Sequence, residues 1–134
     1  IDAPIGKEDA ASIRRIVTAS GKPSVTHYRV LKRGKTRALV ELVLETGRTH
    51  QIRVHMASIG CNLVGDQLYV KSKKTSLKGL DEETKAFVNA FPRQALHAAS
   101  LGFVHPRSGE KLQFSCGFPD DYLLLLDKLR GSRI

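Results

Sequence analysis

RALVELVLETGRTHQIRVHMASIG, residues 37 to 60, changes its apolar period halfway along. From Arg37 to Thr46, Ala38, Val40, Leu42 and Leu44 alternate onto one face, as in a half-buried strand. After Gly47 the apolar residues Ile52, Met56 and Ile59 recur at i, i+4 and i+7, the stripe of a helix. Thr49 stands where an N-cap is needed and Gly60 where a C-cap glycine fits, so the spacing predicts a helix over 49–59. Just upstream, Ser24 to Lys32 is rich in strand formers (Val25, Thr26, Tyr28, Val30, Leu31), and Gly34 marks a turn. The two strands form an antiparallel hairpin that leads into the helix.

Working outward, residues 1–23 are punctuated by Pro4, Gly6, Gly21 and Pro23. Lys7 to Val17 has no clean period and reads as loop or a weak helical turn. Residues 61–80 read as loop, ending in the basic run KSKKTSLKG. Asp81 to Phe91 is expected to be helical, and Arg93 to Val104 a strand. Pro106 to Gly109 turns the chain into a second strand, Lys111 to Cys116, making a second hairpin. Pro119-Asp120-Asp121 opens a C-terminal helix, where the two carboxylates read as capping groups rather than an acid–base pair. Hairpins with interspersed helices predict an α+β fold, a mostly antiparallel mixed sheet with flanking helices. At 134 residues the chain is one domain or part of one.

The charge narrows the partners. There are 22 Lys+Arg against 13 Asp+Glu, a formal charge of +9. That excess favours a polyanion, nucleic acid ahead of an anionic membrane. No run of about 18 apolar residues provides a transmembrane helix. No signal-peptide pattern opens the chain, so a cytoplasmic setting is expected. Cys61 and Cys116 have no metal-type spacing and are expected to be buried thiols in a reducing compartment. His50 and His55 are five apart, unlike a zinc-binding i, i+4 pair, and no metal site is expected. The first residues are Ile-Asp-Ala-Pro and the sole methionine is Met56, so a piece of a longer product is expected.

The densest chemistry lies between Gly47 and His55: Arg48, Thr49, His50, Gln51, Arg53 and His55. Arg48, Thr49 and His50 fall at the helix N-terminus, where free N–H groups favour an anion. His50, Arg53 and Ala57 share a flank by their spacing. Arg53 follows the core-facing Ile52, so it sits near the core edge. Its guanidinium cannot deprotonate and needs an acceptor. That acceptor is either a structural carboxylate or a catalytic carboxylate or phosphate gripped by two N–H groups. Asp66, the nearest candidate, reads as a turn residue, and no partner for a catalytic role is evident within the chain. There is no GxSxG, P-loop or GxGxxG pattern.

Gly47-Arg48-Thr49-His50-Gln51-Ile52-Arg53-Val54-His55, with Ala57-Ser58-Ile59-Gly60 and Val64-Gly65-Asp66-Gln67-Leu68-Tyr69, resembles the RluA/RluD-type family of RNA pseudouridine synthases. The opening Ile1 to Gly6, the Val25 to Tyr28 stretch and the Arg93 to Ala98 stretch are similar to family segments in the family's order. Cys61-Asn62 and Gln67 depart from the usual His-Pro and Pro, within a loop. The family's catalytic aspartate segment, of the form His-Arg-Leu-Asp, and the Lys-x-Tyr segment after it do not occur here. The resemblance therefore implies the C-terminal portion, residues 1–134, of one catalytic domain, inactive without its nucleophile.

For the whole enzyme the resemblance implies isomerisation of uridine to pseudouridine in RNA, with large-subunit ribosomal RNA the expected substrate. A flipped-out uridine has its glycosidic bond broken with the help of the aspartate, and the uracil rejoins through carbon 5. No metal or redox cofactor is implied. Arg53 matches the arginine that ion-pairs with that aspartate, whose place is outside this chain. Arg48, Thr49, His50, Gln51 and His55, and the loop lysines Lys71, Lys73 and Lys74, are the expected RNA contacts. His97 reads as a hydrogen-bonded core histidine. The rival reading is a non-catalytic RNA-binding module, and an unrelated basic protein would make the motif match a coincidence. A chain lacking part of its domain is expected to expose apolar surface and to self-associate.

Overall fold

The computed structural model describes residues 1–34, 36–69 and 77–131. Strands β1 (Ile5–Lys7) and β2 (Arg15–Val17) pair antiparallel. Lys7 to Val17, expected to be loop or helical turn, is instead half of this small hairpin. Asp9 closes its turn by accepting from the Ala11 and Ser12 amides at 2.9 and 2.8 Å. Strands of three residues are too short to display a period, so the sequence concealed them.

The long hairpin is β3 (Thr26–Arg33) with β4 (Ala38–Leu44), in register from Thr26↔Leu44 to Arg33↔Ala38. A bulge between Val30 and Lys32 leaves Leu31 unpaired and exposed. On β4, Val40 and Leu42 are half-buried, while Ala38, Leu44 and Val43 are exposed, so neither face is fully covered. The N-terminal segment runs beside the chain entering β3: Ala3 N–H donates to Ser24 O (3.0 Å), Ile5 N–H to Lys22 O (2.9 Å) and Thr26 N–H to Ile1 O (2.9 Å).

Helix α1 (Gln51–Ser58) follows. Thr49 is not its cap. The N-cap position is His50, with no side-chain cap, and Gly60 takes the left-handed conformation at φ 80° that ends the helix. The buried face also differs from the apolar stripe: Ile59 is 44% exposed, whereas Gln51, Val54, His55, Met56 and Ala57 are buried. Val54 and Ala57 pack with Ile5 and Tyr69 in a first small core.

Helix α2 (Glu82–Asn89) is capped by Asp81, whose side chain accepts from Thr84 N–H at 2.7 Å. Strands β5 (Ser100–Val104) and β6 (Lys111–Ser115) form the second hairpin, and α3 (Asp120–Gly131) closes the order. Leu80, Val88, Phe91 and Leu125 make a second core between α2 and α3. The predicted strand from Arg93 forms a ladder only from Ser100. Its first half is an irregular segment, anchored where Ala95 N–H donates to Val64 O at 2.7 Å. Among the described residues every strand pairing is antiparallel, in three separate two-stranded ladders rather than one mixed sheet. The α+β class holds.

Candidate active site

Two faces of α1 do different things. Inward, Gln51 and His55 are buried polar residues with every polar atom engaged. Gln51 Oε1 accepts from Thr46 Oγ1 (2.7 Å) and Arg48 N–H (3.0 Å), and its Nε2 donates to Val25 O and Thr26 Oγ1, both at 2.9 Å. His55 Nε2 lies 2.8 Å from Ala3 O, which can only accept, so this nitrogen carries the proton. In a neutral ring Nδ1 then accepts from Thr26 Oγ1 at 2.8 Å, leaving that oxygen to receive Gln51. The circuit ties α1 to β3 and to the N-terminal segment. The sequence reading of Gln51 and His55 as RNA contacts is corrected: both are interior, and they position the helix.

Outward, Arg53 is only 14% exposed at its side chain, and Asp66 is fully buried. Arg53 Nε donates to Asp66 Oδ2 and Nη2 to Oδ1, both at 2.9 Å. A carboxylate acceptor for Arg53 is thus present within the chain, the structural one of the two alternatives raised from the sequence. Asp66 is also the turn residue it was read as, since Oδ1 accepts from Leu68 N–H (3.0 Å) and Tyr69 N–H (3.2 Å). Burial raises the Asp66 pKa, but the Arg53 hydrogen bond and the two amides outweigh it and hold it below the ordinary 3.8. The same pairing raises that of Arg53. Gly65, beside Asp66, packs tightly against another segment: at φ 79° a Cβ would lie 2.1 Å from Arg93 O.

Tyr69 completes the cluster. Its buried ring lies under Arg53 at 5.0 Å and Arg14 at 5.7 Å. Its hydroxyl accepts from Arg15 N–H at 3.0 Å and sits 2.7 Å from His50 Nδ1. His50 adopts φ 55°, ψ 23°, a left-handed conformation uncommon outside glycine. Burial, then Arg53 and Arg15, lower its pKa below 6.5, while Asp66 opposes them. The cluster leaves the Arg53 Nη1 N–H groups and His50 Nε2 unengaged by the described residues.

Arg48 and Thr49 are exposed beside it, Arg48 tethered by Nε to Pro23 O at 3.0 Å. Lys71, Lys73 and Lys74 lie outside the described residues. The sequence reading missed Tyr69, Arg14 and Arg15. It names Asp66 as the nearest candidate partner but reads it as a turn residue, although Asp66 is the only carboxylate between Glu45 and Asp81.

Elsewhere, Asp121 lies in the first turn of α3 and not at its cap: its Oδ1 accepts from Tyr122 N–H (2.8 Å), and Arg93 clasps it through Nε (2.9 Å) and Nη2 (3.0 Å). Cys61 and Cys116 are exposed, correcting the expectation of buried thiols, because one leaves α1 in a loop and the other ends an uncovered hairpin. His97 is half-buried, facing Phe118 and Tyr122, with Cys116 O at a long 3.4 Å. Among the described residues no three His, Cys, Asp or Glu side chains gather as a metal site would need, and no helix is long and apolar enough to cross a membrane.

A family model described as RNA pseudouridylate synthase matches residues 1–58. Ribosomal large subunit pseudouridine synthase D of Zymomonas mobilis is 44% identical over 131 residues, 96% of this chain and 39% of that protein. The protein of the same name from Nitrosomonas europaea is 45% identical, over 98% of this chain and 36% of its own length. The chain thus spans about two fifths of these curated relatives. The solved structure of human RNA pseudouridylate synthase domain containing 4 aligns with a TM-score of 0.70 at 26% identity, covering 97% of this chain and 55% of that one. With the motif running through α1 and this agreement in sequence and fold along nearly its whole length, the chain belongs to the RluA/RluD-type family of RNA pseudouridine synthases.

Proposed function

We propose that this chain is the C-terminal portion of a pseudouridine synthase catalytic domain, acting in a longer polypeptide on uridines of large-subunit ribosomal RNA. The observation that carries the reading is the state of Arg53: nearly buried, fixed in direction by Asp66, and still able to donate outward. Asp66 uses one hydrogen on Nε and one on Nη2. Both hydrogens on Nη1 and the second on Nη2 remain, so the end of the guanidinium can grip a second carboxylate. The catalytic aspartate, supplied from outside these 134 residues, takes that place. Arg53 keeps it ionised and oriented in a site that excludes water.

Arg48, Thr49 and His50 form the rim that meets the RNA, and Lys71, Lys73 and Lys74 grip flanking nucleotides through their phosphates. The setting is cytoplasmic, where ribosomal RNA is found. On this reading the 134 residues alone bind RNA but do not turn it over. Tritium release from RNA labelled at uridine carbon 5 tests this. Release by the longer polypeptide and none by this chain is expected. Release by this chain alone, or by neither while the relatives' ribosomal RNA is supplied, contradicts it.

A further inference from the structure

We propose that Tyr69 is a positioning residue: its hydroxyl fixes His50 as the tautomer whose Nε2–H turns outward and donates to an acceptor oxygen of the RNA. This rests on the reading of the chain as part of an RNA-modifying enzyme, and it adds two roles that motif matching does not assign. The polarity follows from the partners of one oxygen. Arg15 N–H, at 3.0 Å, can only donate to it, so the Tyr69 hydrogen must go elsewhere. Among the described residues, the only acceptor in reach is His50 Nδ1, at 2.7 Å. If Nδ1 carried the proton instead, a hydroxyl hydrogen on a buried side chain would have no acceptor among the described residues. A bare Nδ1 in a neutral imidazole requires the proton on Nε2.

The surroundings hold the ring in that state. The groups facing it are Arg53 and Arg15, which oppose a second proton, Asp66, which favours one weakly, and Tyr69 itself. The rings meet edge to face, 5.5 Å apart at 79°, which sets the imidazole plane. The backbone beneath is a left-handed residue at the start of α1, a conformation that costs energy and is retained where the surroundings over-determine it. Tyr69 is 2% exposed and cannot reach RNA itself, so it works through His50.

The acceptor can be a phosphate oxygen or a base carbonyl, and the test separates them. In the longer polypeptide, nitrogen-15 NMR of labelled histidine, with His50→Gln identifying the signal, is expected to find His50 protonated at Nε2 and bare at Nδ1. Tyr69→Phe keeps the ring under Arg53 and removes only the hydroxyl. It is expected to mix the tautomers and raise the Kd for target RNA about three- to tenfold, the range for one hydrogen bond. In a His50→Gln background, whose amide donates without help from Tyr69, Tyr69→Phe is expected to add nothing further.

A single methylphosphonate beside the target, or 4-thiouridine at the target, is expected to abolish the Tyr69→Phe penalty at whichever position holds the acceptor. A proton on Nδ1 in the unmodified protein overturns the proposal, as does an unchanged Kd for Tyr69→Phe, or an equal penalty with and without His50. None of these readouts requires pseudouridine to form. A protein that binds RNA in this way without isomerising it would sink the proposed function and leave this inference standing.

Discussion

Arg53 and Asp66 decide how the site is read, and each has a testable consequence. Removing Asp66 leaves a guanidinium that is 14% exposed without its counter-charge. Breaking one partner of such a pair costs about 3 kcal/mol or more. Asp66→Ala is therefore expected to lose about that much stability in urea unfolding, and a loss under about 1 kcal/mol would mean the pair is solvent-like. The pH dependence has a defined sign. His50 has a lowered pKa, so below about 6.5 the unfolded chain takes a proton that the folded chain resists, and stability falls as pH drops towards the folded value. Asp66, also lowered, contributes stability above about 3.8 that is lost as pH falls through its folded pKa. Thermal melting followed from pH 8 to pH 3 is expected to decline in two stages, the first absent in His50→Gln. A melting temperature that rises on acidification contradicts both assignments.

Among the elements, α1 shows where sequence reading works and where it stops. The switch from period two to helical spacing located both β4 and α1 within a residue or two. The buried face was misread because apolarity was the guide, while two of the buried residues, Gln51 and His55, are polar. They enter the core because Thr26, Val25 and Ala3 satisfy their hydrogen bonds, a pairing between segments 25 or more residues apart that no local pattern encodes. Thr26→Val keeps the shape but takes away the hydroxyl that serves both. It is expected to cost about 2 kcal/mol, read by denaturant unfolding, as two buried groups lose a partner. A neutral effect would mean the circuit is not closed as described. The pairing of Asp66 with Arg53 is hidden for a related reason: Val-Gly-Asp reads as a turn, and only the fold reveals that the turn is folded under α1. Gly65→Ala is expected to destabilise the neighbouring packing of this turn on the Arg93 segment, because the added methyl would lie 2.1 Å from Arg93 O.

At the scale of the whole molecule, the fold class and the family were legible because the motif is long and its hairpins are regular. The division into three ladders was not, since strand partners are set by tertiary assembly. The surface carries large uncovered apolar side chains on two hairpins: Leu31, Val43 and Leu44 on the first, and Leu101, Phe103, Val104 and Phe114 on the second. Leu101 is 62% exposed and Phe114 56%. Such faces in water favour association. The isolated 134 residues are expected to self-associate in sedimentation as concentration rises, while a longer polypeptide that covers these faces is expected to sediment as a single species. A strictly monomeric, highly thermostable isolated chain would contradict that expectation.

On the proposed function, the role of the Arg53 guanidinium, held by Asp66, is to serve the chemistry of uridine isomerisation. It is tested most directly by single-turnover tritium release from uridine-labelled RNA, comparing the longer polypeptide with its Arg53→Lys variant at saturating enzyme. Lysine keeps the charge but loses the planar fork that engages Asp66 and a second carboxylate two-pronged. The expected outcome is a fall in rate of at least about a hundredfold, on the scale of losing one preorganised charge contact, with RNA affinity nearly unchanged. A variant that releases tritium at a near-normal rate would remove Arg53 from the reaction.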